Sequence, residues 1–520
     1  MGQLRRYWLL GSALVETLLF SGCLLGWNSL SPILLELGVL SSHCHPDGAQ
    51  AHENGDLEGP LTPPMAETDE GSPLKPLPAV CTLQEQGLNL GFMLGSLFLG
   101  VTFLSLQILM GYAQLRTLRQ TGGALISVGC LMVGCACTNP HGLSLLLPFA
   151  LVLLGVGGSC ILFTSLMLPL FMGNNEWLYN SLVIGCFTAS ATVFTLMKVA
   201  YNAGVPFVPL LVAYGALSCA MCLNGCICWR LEQNGEGKKN KYSIQLQLTC
   251  CETGQKKEEN SAWYRESLKY KFETSLRDRE RILSRRKKLH FKRPEEPSSP
   301  LLRSSLLSPV FVLHLLSDSL LQTWLHFYIS SLNLQLSALY SSLFGALQML
   351  GLFSAPLISV LLHRQKDINK GTRTTSKGRL LICFILRIFT ASGFGIACLI
   401  PSLGVQVVAF ILHVVTRSST FILSVELYNC VFPRSHFGSL FGIHTFCSSL
   451  ATAFQHPLFL LTTGPLEGNP FWIHATFLMS CSLYISVPLS LWIGQRRRRD
   501  ISQPIMLQPI GARPSIHTPI

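Results

Sequence analysis

Apolar runs long enough to cross a bilayer recur along the whole chain, and that recurrence leaves few folds open. A helix needs ~20 mostly apolar residues to cross ~30 Å of hydrocarbon. Such runs lie near residues 8–37, 88–110, 122–139, 144–171, 178–201 and 205–229. Six more lie near 308–332, 336–362, 379–400, 404–426, 437–463 and 470–494. A backbone in lipid must satisfy its own polar groups, so each run is expected to be helical. The expected fold class is an all-α integral membrane protein of twelve transmembrane helices in two six-helix halves. Residues 1–229 form the first half with an outer loop at 38–87, and 230–305 form a basic linker. Residues 306–494 form the second half and 495–520 a tail. Arg5 and Arg6 precede the first run as they would in a signal peptide. That run is too long for a signal sequence and has no clean cleavage site, so it is expected to be retained.

Composition excludes the main alternatives. Only 13% of the 520 residues are charged and 49% are hydrophobic, whereas a soluble domain averages roughly 25% charged. The sequence offers no nucleophile–base set, phosphate loop or complete metal-ligand set, so neither an enzyme nor a cofactor is expected. Among the 19 cysteines, Cys130, Cys135, Cys137 and Cys160 sit in apolar runs, where cysteine behaves as a small hydrophobe. The pair Cys219 and Cys222 has the C-x-x-C spacing but no second pair to complete a zinc site.

The net charge of +12 calls for no nucleic acid, because of where the charge falls. Arg5 and Arg6, Arg116 and Arg119, the 230–305 segment, Arg364 to Arg379, and Arg496 to Arg499 all belong to one side. On the other side the 38–87 loop carries Lys75 as its only Lys or Arg. The positive-inside rule then places both termini and the central linker in the cytoplasm, with the linker lying against anionic lipid. With no retention signal at Ile520, the expected location is the plasma membrane. Cys44 and Cys81 stand near the ends of the outer loop, where an oxidising exterior would allow a disulfide.

Polar groups within spans are costly and tend to face a cavity or a partner. Glu16 in the first span and Arg417 in the tenth are opposite charges that can face one central cavity, or each can be satisfied locally. Arg387 and Lys198 lie nearer span ends and can snorkel. Asp318, Gln322, Gln348, His413, His444, Gln455 and His456 add polarity to the later spans. A proton relay would draw on His413, His444 and Glu426.

Several long strings are similar to one known family. They are Glu16-Thr-Leu-Leu-Phe-Ser-Gly-Cys-Leu-Leu-Gly-Trp27-Asn-Ser-Leu, Leu88-Asn-Leu-Gly-Phe, Phe163-Thr-Ser-Leu-Met-Leu-Pro169, Phe344-Gly-Ala-Leu-Gln348, Phe432-Pro-Arg-Ser-His-Phe-Gly438 and Gly464-Pro-Leu-Glu-Gly-Asn-Pro-Phe-Trp472. Over almost the whole chain except the central linker and tail, they resemble solute carrier family 43, a branch of the major facilitator superfamily. The resemblance implies sodium-independent facilitated diffusion by alternating access. The substrates it implies are large neutral amino acids (leucine, isoleucine, phenylalanine, methionine) or, in the related branch, purine nucleobases.

Two departures from the family pattern bear on that reading. Trp324 stands where the amino-acid branch has Arg, and an indole offers a stacking face to a planar base. The superfamily gate motif Gly-x-x-x-Asp-Arg reads Gly111-Tyr-Ala-Gln-Leu115-Arg116 and Ser359-Val-Leu-Leu-His363-Arg364, with both acids replaced. Glu176 also stands where the family has Arg. A non-transporting paralogue that binds partners is the remaining reading. For an amino-acid site the candidates are Glu16 for the ammonium and Gly26 with Arg417 for the carboxylate. Phe20, Trp27, Trp324 and Phe344 are the candidates for the apolar pocket. For a base, Trp324 would stack while Gln322 or Gln348 reads its edges.

Overall fold

The computed structural model describes residues 3–41, 81–110, 112–168, 176–233, 302–363, 373–433 and 436–502. Those residues are helical with short connections and include no strand. In the first half the spans are Tyr7–Ser21 with Cys23–Glu36, then Thr82–Leu109, Leu115–Thr138, Leu146–Met167, Trp177–Asn202 and Phe207–Gly225. In the second half they are Pro309–Gln335, Ala338–His363, Gly378–Leu399, Leu403–Val431, Phe437–Thr463 and Phe471–Gly494. The Cys44–Cys81 pairing, Gly111, Arg364 and the 234–301 part of the linker involve positions outside the described residues.

Eleven of these spans are long and apolar enough to cross a bilayer, counting the bent first pair as one. The seventh, Pro309–Gln335, has 27 residues but is too polar to qualify on composition. His314, Asp318, Gln322 and His326 recur along it at intervals of four, which puts them along one side of a helix. His314 and Asp318 are buried against other spans. The opposite pattern marks the outside of the bundle, where Phe149, Leu196, Phe353, Phe389 and Met479 are exposed as lipid contact requires.

Within the first half the fourth span packs on the second and third, and the sixth on the third. In the second half the ninth packs on the tenth and twelfth, and the seventh on the eleventh. The halves meet where the second span packs on the eleventh and the fifth on the eighth.

Several spans are broken near their middles. The first bends by 43° at Gly22, between a π-turn at Thr17–Ser21 and a 3₁₀ turn at Cys23–Gly26. The fifth breaks at Ser190 and Ala191, the eighth at the 3₁₀ turn Gln348–Leu350, and the eleventh at Ala453 and Phe454. Freed backbone groups in lipid need new partners, and Ser190 Oγ accepts from Gly22 N at 3.1 Å. Gly26 then lies so close to the fifth span that a Cβ there would collide with the Ala191 carbonyl. Two breaks are thus locked together.

Each half also holds a buried acid–arginine pair between its first and third spans. Glu16 Oε2 lies 2.6 Å from Arg119 Nη2, and Arg119 Nη1 donates to Thr164 Oγ1 at 3.1 Å and Ser165 Oγ at 3.0 Å. In the second half Arg387 Nη1 donates to Asp318 Oδ1 at 3.0 Å. Removing one partner from such a pair costs about 3–5 kcal/mol, because the other charge stays buried. Two sequence expectations are corrected here. Arg387 is buried and paired rather than snorkelling, because Asp318 neutralises it inside the bundle. Lys198 is buried as well.

Candidate functional site

A central cavity lies between the halves. From the first half Leu25, Leu99, Phe103, Leu162, Ile184 and Phe187 line it; from the second, Phe421 and Phe441 continue the apolar wall. Its polar part belongs almost wholly to the second half. Asp318, Gln322 and His326 come from the seventh span, Arg417, Thr420 and Ser424 from the tenth, and His444 from the eleventh. About 90 Å³ is open to the centre of a water-sized sphere, several times the ~10–15 Å³ that one water needs.

Arg417 is the cation on this wall. Its Nη1 donates to Gln348 Oε1 at 3.1 Å, and its guanidinium sits 5.4 Å from the Phe187 ring centroid across the cavity. Its Nη2 is buried without a hydrogen-bond partner. A buried donor left unsatisfied is costly, so this atom is ready for an anionic group. On the seventh span, His326 Nδ1 donates to the Gln322 carbonyl at 2.8 Å. With its proton held there, neutral His326 keeps Nε2 as an acceptor. The cavity therefore combines a guanidinium donor, a neutral imidazole acceptor, the Gln322 amide and an aromatic wall.

Among the sequence candidates, Gln322 and Arg417 line the cavity, with Gln348 holding Arg417 from behind. Glu16 does not reach it, because Arg119 has drawn it into the core of the first half. Gly26 packs on the fifth span. Phe20 and Trp27 are buried within the first half, against Tyr214 and Phe92 respectively. Phe344 packs between Tyr328 and Phe410.

Trp324 corrects the expectation that its indole offers a stacking face to substrate. It is wholly buried, parallel to Phe477 with centroids 5.6 Å apart, and its Nε1 donates to His474 Nδ1 at 3.0 Å. Its neighbours are on the ninth and twelfth spans, so it faces away from the cavity. The three residues on which a proton relay would draw, His413, His444 and Glu426, are not brought together. His413 packs near Tyr328 and Phe344, Glu426 meets His363, and His444 stands with Asp318 and His314. Arg119 and His314 were missed by sequence reasoning. The apolar run begins near 122 and leaves Arg119 in a loop, whereas the third helix starts at Leu115. The four-residue spacing of polar groups in the seventh span was the signal for His314.

Away from the basic end, which carries Arg116, Arg379 and Arg496, hydrogen bonds join the halves. Asn28 Nδ2 donates to the Ser341 carbonyl at 2.7 Å, and Asn333 Nδ2 donates to the Asn28 carbonyl at 2.9 Å. Gln86 Nε2 donates to Thr463 Oγ1 at 3.0 Å, and His456 Nδ1 pairs with Asn89 Oδ1 at 3.0 Å. At the basic end, Trp177 of the fifth span stacks on His363 of the eighth. Arg116 lies in a small pocket there beside Glu16 and Arg119.

Two packed six-helix halves around a central cavity define a membrane transporter of the major facilitator type. A bacterial homologue of the iron transporter ferroportin, solved in an outward-facing state, shares the fold. Its TM-score is 0.51 at 13% identity, covering 93% of this chain and 99% of that one. No family model matches the chain. Curated relatives narrow the class: large neutral amino acids transporter small subunit 3 from Homo sapiens is 31% identical over 95% of this chain and 94% of that protein. The Mus musculus counterpart is 30% identical over the same shares. Equilibrative nucleobase transporter 1 from Bos taurus is 27% identical over 65% of this chain and 70% of that protein. The chain belongs to solute carrier family 43, the family of these carriers.

Proposed function

We propose that this protein carries large neutral amino acids such as leucine, isoleucine, phenylalanine and methionine down their gradients by alternating access. It does so at the plasma membrane, with both termini and the central linker in the cytoplasm. The observation that carries the reading is Arg417, whose unpartnered Nη2 at an otherwise largely apolar cavity suits a carboxylate. Gln348 fixes the guanidinium, while Gln322 and the His326 Nε2 lone pair supply acceptors for an ammonium. The apolar side chain then lies among Phe103, Phe187, Phe421 and Phe441. The human relative at 31% identity, named for such substrates, supports the same reading.

Purine nucleobases are the second reading, favoured by the bovine relative's name and by Gln322 on the cavity wall. The test is uptake of labelled leucine and labelled adenine, side by side in sodium-free buffer, with surface expression controlled. Saturable leucine uptake blocked by excess phenylalanine is expected. Adenine uptake alone would replace the first reading with the second. Neither signal, with protein at the surface, would point to a non-transporting relative.

A further inference from the structure

We infer that His314, Asp318 and His444 form a binding site for a divalent transition ion such as zinc, set in the wall of the central cavity. The three residues each offer one ligand atom, and these atoms lie within 4.8 Å of one another. All three side chains are buried. Two come from adjacent turns of the seventh span and the third from the eleventh.

The protons around the cluster can be assigned from its hydrogen bonds. Ser424 Oγ donates its proton to the Thr420 carbonyl at 2.8 Å. With its proton directed to that carbonyl, the hydroxyl accepts from His314 Nε2, 3.0 Å away. His314 then carries its proton on Nε2, and the neutral ring leaves Nδ1 as a bare lone pair. Asp318 gives Oδ1 to Arg387 and leaves Oδ2 without a hydrogen bond. His444 Nε2 pairs with that oxygen at 3.2 Å, while His444 Nδ1 has no hydrogen bond among the described residues. A free imidazole lone pair, a carboxylate oxygen and a second imidazole are thus gathered in one buried place. Buried polar atoms normally have partners, and a cation satisfies this whole set at once.

The surroundings also suit a metal. A ligating imidazole usually donates its other N–H to a fixed acceptor, and a ligating carboxylate is itself hydrogen-bonded. Ser424 fills the first role and Arg387 the second. Two imidazoles and a carboxylate match the preferences of zinc, and three protein ligands leave a fourth position open. Asp318 and His444 both line the cavity, so that position falls to water or to an anion within it. The Arg387 charge beside Asp318 opposes the cation, which makes the site weaker than a structural zinc site. An ion there ties the seventh span to the eleventh and occupies space that the substrate would use. The inference does not depend on which substrate is carried.

The test uses the full-length protein, purified in detergent and stripped with chelator. Cobalt is expected to bind once per chain with the visible absorption of a nitrogen-ligated, four-coordinate ion, and zinc to displace it. His444→Gln should abolish this stoichiometric binding. Ser424→Ala removes no ligand but frees the His314 tautomer, and should weaken zinc about 10- to 100-fold, with Ser424→Thr restoring it. An absent cobalt spectrum in the wild type would overturn the site even if every variant misfolds. Zinc binding equal in wild type and His444→Gln would overturn it too, by locating the ion elsewhere.

Discussion

Trp177 and His363 lie flat on one another across the junction of the halves, with ring centroids 4.8 Å apart and planes 9° from parallel. His363 stands where the superfamily gate motif has Asp. Its Nδ1 faces the Ser359 carbonyl at 2.9 Å and its Nε2 faces Glu426 Oε1 at 3.3 Å. An aromatic stack therefore joins the halves where the motif's acid has been lost. Such a pair is worth about 0.5–1.5 kcal/mol, or roughly a two- to tenfold population ratio. Trp177→Ala should shift the protein by that ratio towards a state open at the basic end. Labelling of a Thr420→Cys reporter from that side in inside-out vesicles should rise accordingly, and Trp177→Phe should restore the wild-type rate. Equal labelling in all three would rule the stack out as a latch.

Arg417→Ala should raise the leucine KM about 10- to 100-fold, the range expected for losing a charge-assisted hydrogen bond. Gln348→Ala should produce a smaller rise, because it loosens the guanidinium without removing it. The measurement is concentration-dependent uptake normalised to surface protein. An unchanged KM in Arg417→Ala would remove the residue from the site.

Glu16→Gln should damage stability rather than substrate affinity. It leaves Arg119 buried without its counter-charge, at a cost of about 3–5 kcal/mol. Replacing Glu16 and Arg119 together by uncharged residues of similar size should cost less than Glu16→Gln alone. Thermal inactivation in detergent reads the stability, and uptake by the surviving protein reads the KM. A large KM change with normal stability would return Glu16 to the cavity.

Trp324→Phe should leave the preference between leucine and adenine unchanged while lowering the melting temperature. It removes the hydrogen bond to His474 Nδ1, and leaving a buried group unsatisfied costs about 1–3 kcal/mol. Gly395 lies so close to the indole that a Cβ there would press on its ring edge, so Gly395→Ala should destabilise the protein in the same way. Competition uptake and a melting curve decide the matter. A switch in substrate preference would mean that the indole reaches substrate in another state of the cycle.

The sequence by itself determined that this chain is a helical membrane protein, because hydrocarbon imposes run length and apolarity on each span separately. The run 336–362 and the helix pair Ala338–His363 agree closely for that reason. Even the seventh span was legible despite its polarity, since its flanks and length sufficed. Only the tertiary structure decided what its polar residues do. Glu16 and Asp318 look alike in sequence, each an acid inside the first span of its half. One is sealed against Arg119 in a helical core, while the other, with Arg387 behind it, lines the cavity. Trp324 read as a substrate contact because its position was judged by type, yet helix rotation turned it towards Phe477. Composition reports that a side chain is in the membrane, but its direction depends on neighbours distant in the chain. A rotation of a helix by one residue, about 100°, is enough to exchange a wall of the cavity for the inside of the bundle.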